Sequence, residues 1–138
     1  MVESVVWNPE VGLLYLSNSA DLPITVMQHG LIAFKVNSSC MLEKSWNVVI
    51  GTNTGTSICY TPYTTPLVAG GLVFVGTGLS NTMYAVNAET GKIVWSAPMS
   101  GALFAAPLVI NGMLLQGTFS YGVSSLYAYT LPASLIVG

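Results

Sequence analysis

Few side chains in this chain are suited to chemistry. Among 138 residues there are three Lys or Arg, five Asp or Glu, one His and two Cys. The sole aspartate is Asp21 and the sole histidine is His29. A histidine works as a general base when it lies within hydrogen-bond reach of the proton it takes and a neighbour orients it. His29 stands just before Gly30 with no carboxylate close in sequence, and Asp21 lies in a segment with Pro23 and no second acid. Calcium wants six to eight oxygen ligands, usually with several carboxylates among them. Asp21 therefore reads as a solvated turn residue and His29 as a loop or strand-edge histidine. Cys40 and Cys59 match no zinc pattern, which takes four ligands. Gly76-Thr77-Gly78 follows one strand and leads towards another, whereas a dinucleotide site needs a helix N-terminus there. Asn37-Ser38-Ser39 is a glycosylation sequon, meaningful only in a eukaryotic secretory pathway. Tyr60, Tyr63, Phe104, Phe119 and Tyr121 gather in or near loops, where packing explains them better than a ligand surface does. No catalytic residue and no metal ligand is assigned, and no cofactor contact can be named.

Composition narrows the classes further. The chain is 52% hydrophobic and only 6% charged, with a net charge of −2. No basic patch can form, so nucleic-acid binding is not expected. The mean hydropathy of +0.66 is high. Even so, no window holds the ~20 apolar residues that a spanning helix requires. The most apolar stretch, Leu67 to Val75, contains Gly70-Gly71 and ends at Gly76. Met1-Val2-Glu3-Ser4 lacks the positive start and apolar run of a signal peptide. Polarity comes from Thr, Ser, Asn, Gly and Tyr, types that suit strands and turns.

The elements that must position these residues repeat along the chain. Residues 65–77 and 106–118 both read as strand, two-residue turn, strand. Pro66 to Pro107 and Gly76 to Gly117 share an offset of 41 positions. Gly70-Gly71 and Asn111-Gly112 both suit a type I′ turn, whose two central residues need positive φ. A third strand follows each hairpin, at Thr82 to Asn87 and at Ser125 to Thr130. A looser copy precedes both. It has strands at Ser4 to Trp7, Leu13 to Ser17 and Gly30 to Val36, and a fourth at Leu42 to Trp46 that matches Lys92 to Ser96.

Alternation near period 2 dominates, and Gly or Pro interrupts most windows of helix length. The expected fold is all-β: about three four-stranded antiparallel blades of a β-propeller, at roughly 1–47, 62–97 and 103–131. Residues 48–61 would connect the first two and 132–138 would form a tail. Propellers close with about four to eight blades, and an open fan leaves unpaired sheet edges. Three blades therefore read as part of a larger propeller, or as a piece that self-associates.

The residues from Tyr84 to Trp95 carry a family likeness. They resemble the pyrrolo-quinoline quinone (PQQ) repeat of quinoprotein-like β-propellers. That repeat has a tryptophan-docking motif with Ala first, Asp third, Thr sixth, Gly seventh and Trp eleventh. Here the positions hold Ala85, Asn87, Thr90, Gly91 and Trp95, so four of the five agree and Asn87 replaces the acid. The third copy resembles the family as far as Tyr129. The first has Ala33, but Ser39 stands at the glycine position and Trp46 comes three residues late.

The resemblance implies a structural device in which Trp95 is buried between blades. It also implies an extracytoplasmic setting, secreted or periplasmic. In that setting Cys40 and Cys59 could form a disulfide worth about 3 kcal/mol; two separate buried thiols are the other reading. A PQQ dehydrogenase of this family would need calcium ligands, a general-base Asp and, in some members, adjacent cysteines. None of these is assembled here. The chain is therefore read as a noncatalytic scaffold or interaction module that holds no cofactor of its own. Its partners would be the remaining propeller blades, a second copy or another protein. The alternative is the C-terminal part of a PQQ-dependent alcohol or sugar dehydrogenase, with PQQ and calcium bound by residues outside this chain.

Overall fold

The protein is described by a computed structural model covering residues 5–18, 28–51, 63–78, 80–120 and 122–132. Asp21, Cys59, Tyr60 and Tyr121 lie outside the described residues. Among the described residues eleven strands form three antiparallel sheets, each a simple up-and-down meander. The first sheet holds β1 (Val5–Asn8), β2 (Leu13–Asn18), β3 (Gly30–Val36) and β4 (Leu42–Val49). The second holds β5 (Leu67–Ala69), β6 (Leu72–Thr77), β7 (Thr82–Asn87) and β8 (Ile93–Pro98). The third holds β9 (Leu108–Ile110), β10 (Met113–Ser120) and β11 (Val123–Thr130). The all-β propeller-blade expectation holds, with one correction: the third sheet has three strands among the described residues, not four. Its order is β11-β10-β9, so β11 is the outer strand among the described residues.

Local chemistry explains the hairpins. Gly70 and Gly71 have φ of +57° and +77°, and Asn111 and Gly112 have +49° and +71°. These are the mirror-image turns that match strand twist in a two-residue hairpin. The strands then differ in burial according to their place. β6 is buried along its whole length because its sheet has a neighbour on each face. That double burial explains its continuous apolar run. β2 alternates between buried and half-buried positions.

Two cores lie between the sheets. Leu13, Tyr15, Leu31 and Ala33 of the first sheet pack with Val73, Val75, Val86 and Ala88 of the second. Leu72, Phe74, Met83 and Ala85 of the second pack with Leu114 and Leu131, and with Leu103 of the connection. The connections also join the sheets by backbone. Tyr63 bridges Thr77, and Ala102 bridges Phe119 through a pair of hydrogen bonds of 2.8 and 2.9 Å.

The Trp46 side chain of the first sheet lies against Gly91 of the second. Gly91 is buried, has φ of +76°, and a Cβ there would lie 2.7 Å from Cδ2 and Cε3 of Trp46. Gly12 has a similar φ of +68° but open space around it. Gly91→Ala should cost about 1–3 kcal/mol from the backbone and more from the clash with the indole. Gly12→Ala should incur only the backbone part. Urea unfolding of the two variants checks this, and equal losses would contradict the close approach.

Candidate functional site

The motif residues occupy one hairpin end of the second sheet. Asn87 begins the turn: its Oδ1 accepts hydrogen bonds from the N–H groups of Glu89 and Thr90, both at 3.0 Å. The turn is closed by Gly91 N–H to the Asn87 carbonyl at 3.0 Å and Asn87 N–H to the Lys92 carbonyl at 2.8 Å. Thr90 Oγ1 accepts from Lys92 N–H at 3.3 Å. An amide oxygen therefore does here what a carboxylate oxygen would, capping two free donors. Past the turn, Ala85 pairs directly with Trp95. The register then slips between Ala85 and Val86, leaving Val94 as a bulge residue beside the pair. The ring opposite Ala85 thus belongs to its own sheet. That ring is half-buried and meets Tyr129 of the third sheet edge to face, at 5.6 Å between centroids and 77°.

The first sheet repeats this arrangement where its sequence spacing does not match. Ala33 pairs with Trp46, and the register slips between Ala33 and Phe34, leaving Ser45 as the bulge residue. Trp46 comes late because the β3–β4 hairpin runs two rungs further beyond the slip than β7–β8 does, while its turn is one residue shorter. Asn37 takes the place of Asn87, with Oδ1 accepting from Ser39 N–H and Met41 N–H, both at 2.9 Å. Cys40 takes the conformation of Gly91, with φ of +59° and its N–H bonded to the Asn37 carbonyl at 3.0 Å. Sequence spacing set Trp46 against Trp95 three residues late and missed Asn37 and Cys40 as counterparts of Asn87 and Gly91. The signal for them was Asn37 standing one strand length after Ala33. Asn37, the sequon residue, also donates to Glu43 Oε1 at 3.0 Å. Cys40 is exposed and forms no disulfide among the described residues. The reading of two buried thiols therefore fails at this position, and Cys59 lies outside the described residues.

Tyr15 and Trp46 carry the first junction, with ring centroids 5.8 Å apart. The Tyr15 hydroxyl donates to the Ala88 carbonyl of the second sheet at 2.9 Å and accepts from Asn8 Nδ2 at 3.4 Å. Burial pushes its pKa above the ordinary 10.0; the Asn8 hydrogen bond opposes this and the Glu89 charge adds to it. At the second junction Tyr127 donates to Ser100 Oγ at 2.7 Å and accepts from Ser100 N–H at 3.1 Å.

At the opposite end of the sheets, the β6–β7 turn, the β8–β9 connection and the end of β10 enclose an open cleft. It has a volume of about 370 Å³ and is lined by Asn81, Ser100, Gly101, Ala102, Phe104, Phe119 and Ser120. That size is within the range of small-molecule sites. Its polar groups are hydroxyls and an amide, and none of its lining side chains is ionisable. Of the loop aromatics, Phe104 and Phe119 line this cleft, while Tyr63 is buried and donates to the Ile50 carbonyl at 2.6 Å. His29 lies at the same end but in the first sheet, buried, with Nε2 3.3 Å from the Gly51 carbonyl. Glu10, Glu43 and Glu89 lie in or beside the β1–β2, β3–β4 and β7–β8 turns, away from the cleft.

PQQ carries three carboxylates and works beside calcium, so its site needs cations and a cluster of oxygen ligands. No group of three or more His, Cys, Asp or Glu able to hold a metal occurs among the described residues, and the cleft holds no Lys or Arg. The described residues therefore do not fit that cofactor with its metal. No helix among them is long and apolar enough to cross a membrane.

Comparison with known proteins follows the geometry. The family model described as outer membrane protein assembly factor BamB matches residues 43–130, more than half of the chain. The quinoprotein alcohol dehydrogenase PedH of Pseudomonas putida is 42% identical over 53 residues, covering 35% of this chain and 9% of that protein. The glycerol dehydrogenase large subunit of Gluconobacter thailandicus is 34% identical over 82 residues, covering 59% of this chain and 10% of that protein. The chain thus spans about a tenth of the length of these curated relatives. Among solved structures, a europium-containing methanol dehydrogenase superposes with a TM-score of 0.59 at 16% identity, covering 94% of this chain and 21% of that one. BamB from Moraxella catarrhalis gives 0.51 at 18% identity, covering 91% and 42%. At such identities these two structures show the fold.

Removing the Tyr15 hydroxyl tests the first junction. Tyr15→Phe should cost about 1–2 kcal/mol by leaving the Ala88 carbonyl unpaired. Because the folded-state pKa is raised, the tyrosine's contribution is fully present below pH 10 and is lost as pH rises through the folded value. Denaturant melts between pH 8 and 11 should show a shallower alkaline loss in the variant than in the parent.

Proposed function

The chain belongs to the PQQ-repeat, quinoprotein-like β-propeller family, and on that premise we propose that it serves as a noncatalytic propeller segment, a scaffold or interaction module. One observation carries this reading. The motif residues Ala85, Asn87, Thr90, Gly91 and Trp95 are all engaged in a turn, a strand pair or a sheet junction. They hold blades together and leave no group over for chemistry. We read 1–47, 62–97 and 103–131 as the three blades and Trp46 and Trp95 as their docking residues. The cleft supports the same reading, since hydroxyl, amide and aromatic side chains bind neutral groups without transferring protons. The matching family description names an assembly factor for outer membrane proteins. It supports a protein partner and a place outside the cytoplasm, secreted or periplasmic.

A second reading is favoured by the two dehydrogenases that the chain resembles. In it the chain is one part of a quinoprotein alcohol or sugar dehydrogenase whose PQQ and calcium are bound by residues elsewhere. One assay tests the noncatalytic reading of this chain. The purified chain, given PQQ and calcium, should neither quench PQQ fluorescence at micromolar concentration nor reduce a dye with ethanol or glycerol. Saturable quenching or turnover by this chain would overturn the noncatalytic reading.

A further inference from the structure

The aromatic rings of the cleft are not demanded by the repeat. At its offset of 41 positions, Phe104 corresponds to Tyr63 and Phe119 to Gly78. Tyr63 is buried and donates its hydroxyl proton to the Ile50 carbonyl, and Gly78 has no side chain. Phe104 and Phe119 instead stand 44% and 53% exposed in the cleft wall. Backbone supports both from behind. A Cβ at Gly78 would lie 2.9 Å from Cε1 of Phe104, and one at Gly101 would lie 2.7 Å from the Phe119 carbonyl oxygen. Phe119 and Ala102 exchange two backbone hydrogen bonds, and Met99 N–H donates to the Asn81 carbonyl at 2.7 Å. Main chain from both sheets thus fixes the cleft before any ligand arrives.

Beside the rings lie groups that both donate and accept. Ser100 Oγ accepts from the Tyr127 hydroxyl at 2.7 Å, which leaves its own proton for a ligand. Asn81 brings a side-chain amide and Ser120 a hydroxyl. No residue after Lys92 is charged, and no lining side chain is ionisable.

We propose that this cleft binds one uncharged pyranose unit of a glycan and leaves it chemically unchanged. The inference rests on the reading of the chain as a noncatalytic binding module, and it names the ligand class of that module. Chemistry selects the class. Ionic ligands are matched by opposite charge, which the cleft lacks. A purely apolar ligand would cover the hydroxyls and the amide without giving them partners. A pyranose carries hydroxyls around its rim, each a donor and an acceptor, and C–H groups on its faces that lie well against an aromatic ring. The rim matches Ser100, Asn81 and Ser120, and the faces match Phe104 and Phe119.

The test uses the whole chain and methyl glucoside, whose blocked anomeric carbon keeps binding apart from sugar oxidation. Saturation-transfer NMR should show the ring protons of the sugar receiving magnetisation, with a dissociation constant of about 1–10 mM. Phe119→Ala removes a ring while its backbone bonds to Ala102 remain. Asn81→Gly removes the amide at a position whose φ of +50° glycine adopts freely. Each variant should weaken binding by about tenfold or more with the circular dichroism unchanged. Sorbitol, which has the hydroxyls without a ring face, should give no signal. Absence of saturable binding overturns the proposal. Equal binding of sorbitol overturns it too, as does binding that both variants retain. None of these results touches the noncatalytic reading, which stands or falls on PQQ quenching and turnover.

Discussion

The close approach of the Trp46 indole to the backbone at Gly91 sets the geometry on which the first junction depends. An aromatic ring can lie against main chain only where the opposing residue lacks a Cβ and the turn bends through positive φ. It also needs a small residue directly across its own sheet, and Ala33 supplies that. The bulge beside the pair increases local twist and aims the ring outward from its strand. The same pair, Ala85 with Trp95 and the same slip of register, recurs one sheet later. There no described glycine receives the ring, and Tyr129 meets it edge to face instead, a favourable aromatic geometry. One device thus gives two junctions of different chemistry.

Polar groups at these junctions are nearly all paired. Tyr15 crosses from the first sheet to the Ala88 carbonyl, and Tyr127 crosses from the third to Ser100. At the cleft end of the first sheet, Asn47 accepts from Gln28 N–H at 2.7 Å and donates to the Leu31 carbonyl at 3.2 Å. Gln116 spends both protons of its amide on the carbonyls of Ala105 and Gly117. Trp46 Nε1 and Gln116 Oε1 are buried with no hydrogen-bond partner among the described residues. Both sit where sheets meet, the places where packing leaves least freedom to reorient a donor or an acceptor.

This economy of charge bears on function. The charged residues of the described chain fall in or beside hairpin turns at one end of the sheets, and the cleft at the other end has none. Among the described residues the three sheets bring together rings, small residues and amides. These chemistries hold surfaces in contact, which agrees with a family whose repeat is a stacking unit.

The sequence by itself determined the strands, the hairpins and the repeat. Gly70-Gly71 and Asn111-Gly112 announce turns whose φ angles only such residues adopt readily, and alternation of apolar side chains marks the strands between them. It also placed Ala85 to Trp95 in one repeat copy, with Thr90-Gly91 marking the turn between two strands. Only the tertiary structure revealed that Ala33 and Trp46 form the same pair. Two extra rungs and a shorter turn change the count along the chain but leave the residues opposite each other, because pairing depends on register across strands. The cleft lining was likewise hidden, because it follows from contacts between segments distant in sequence, and local residue types carry no record of those contacts.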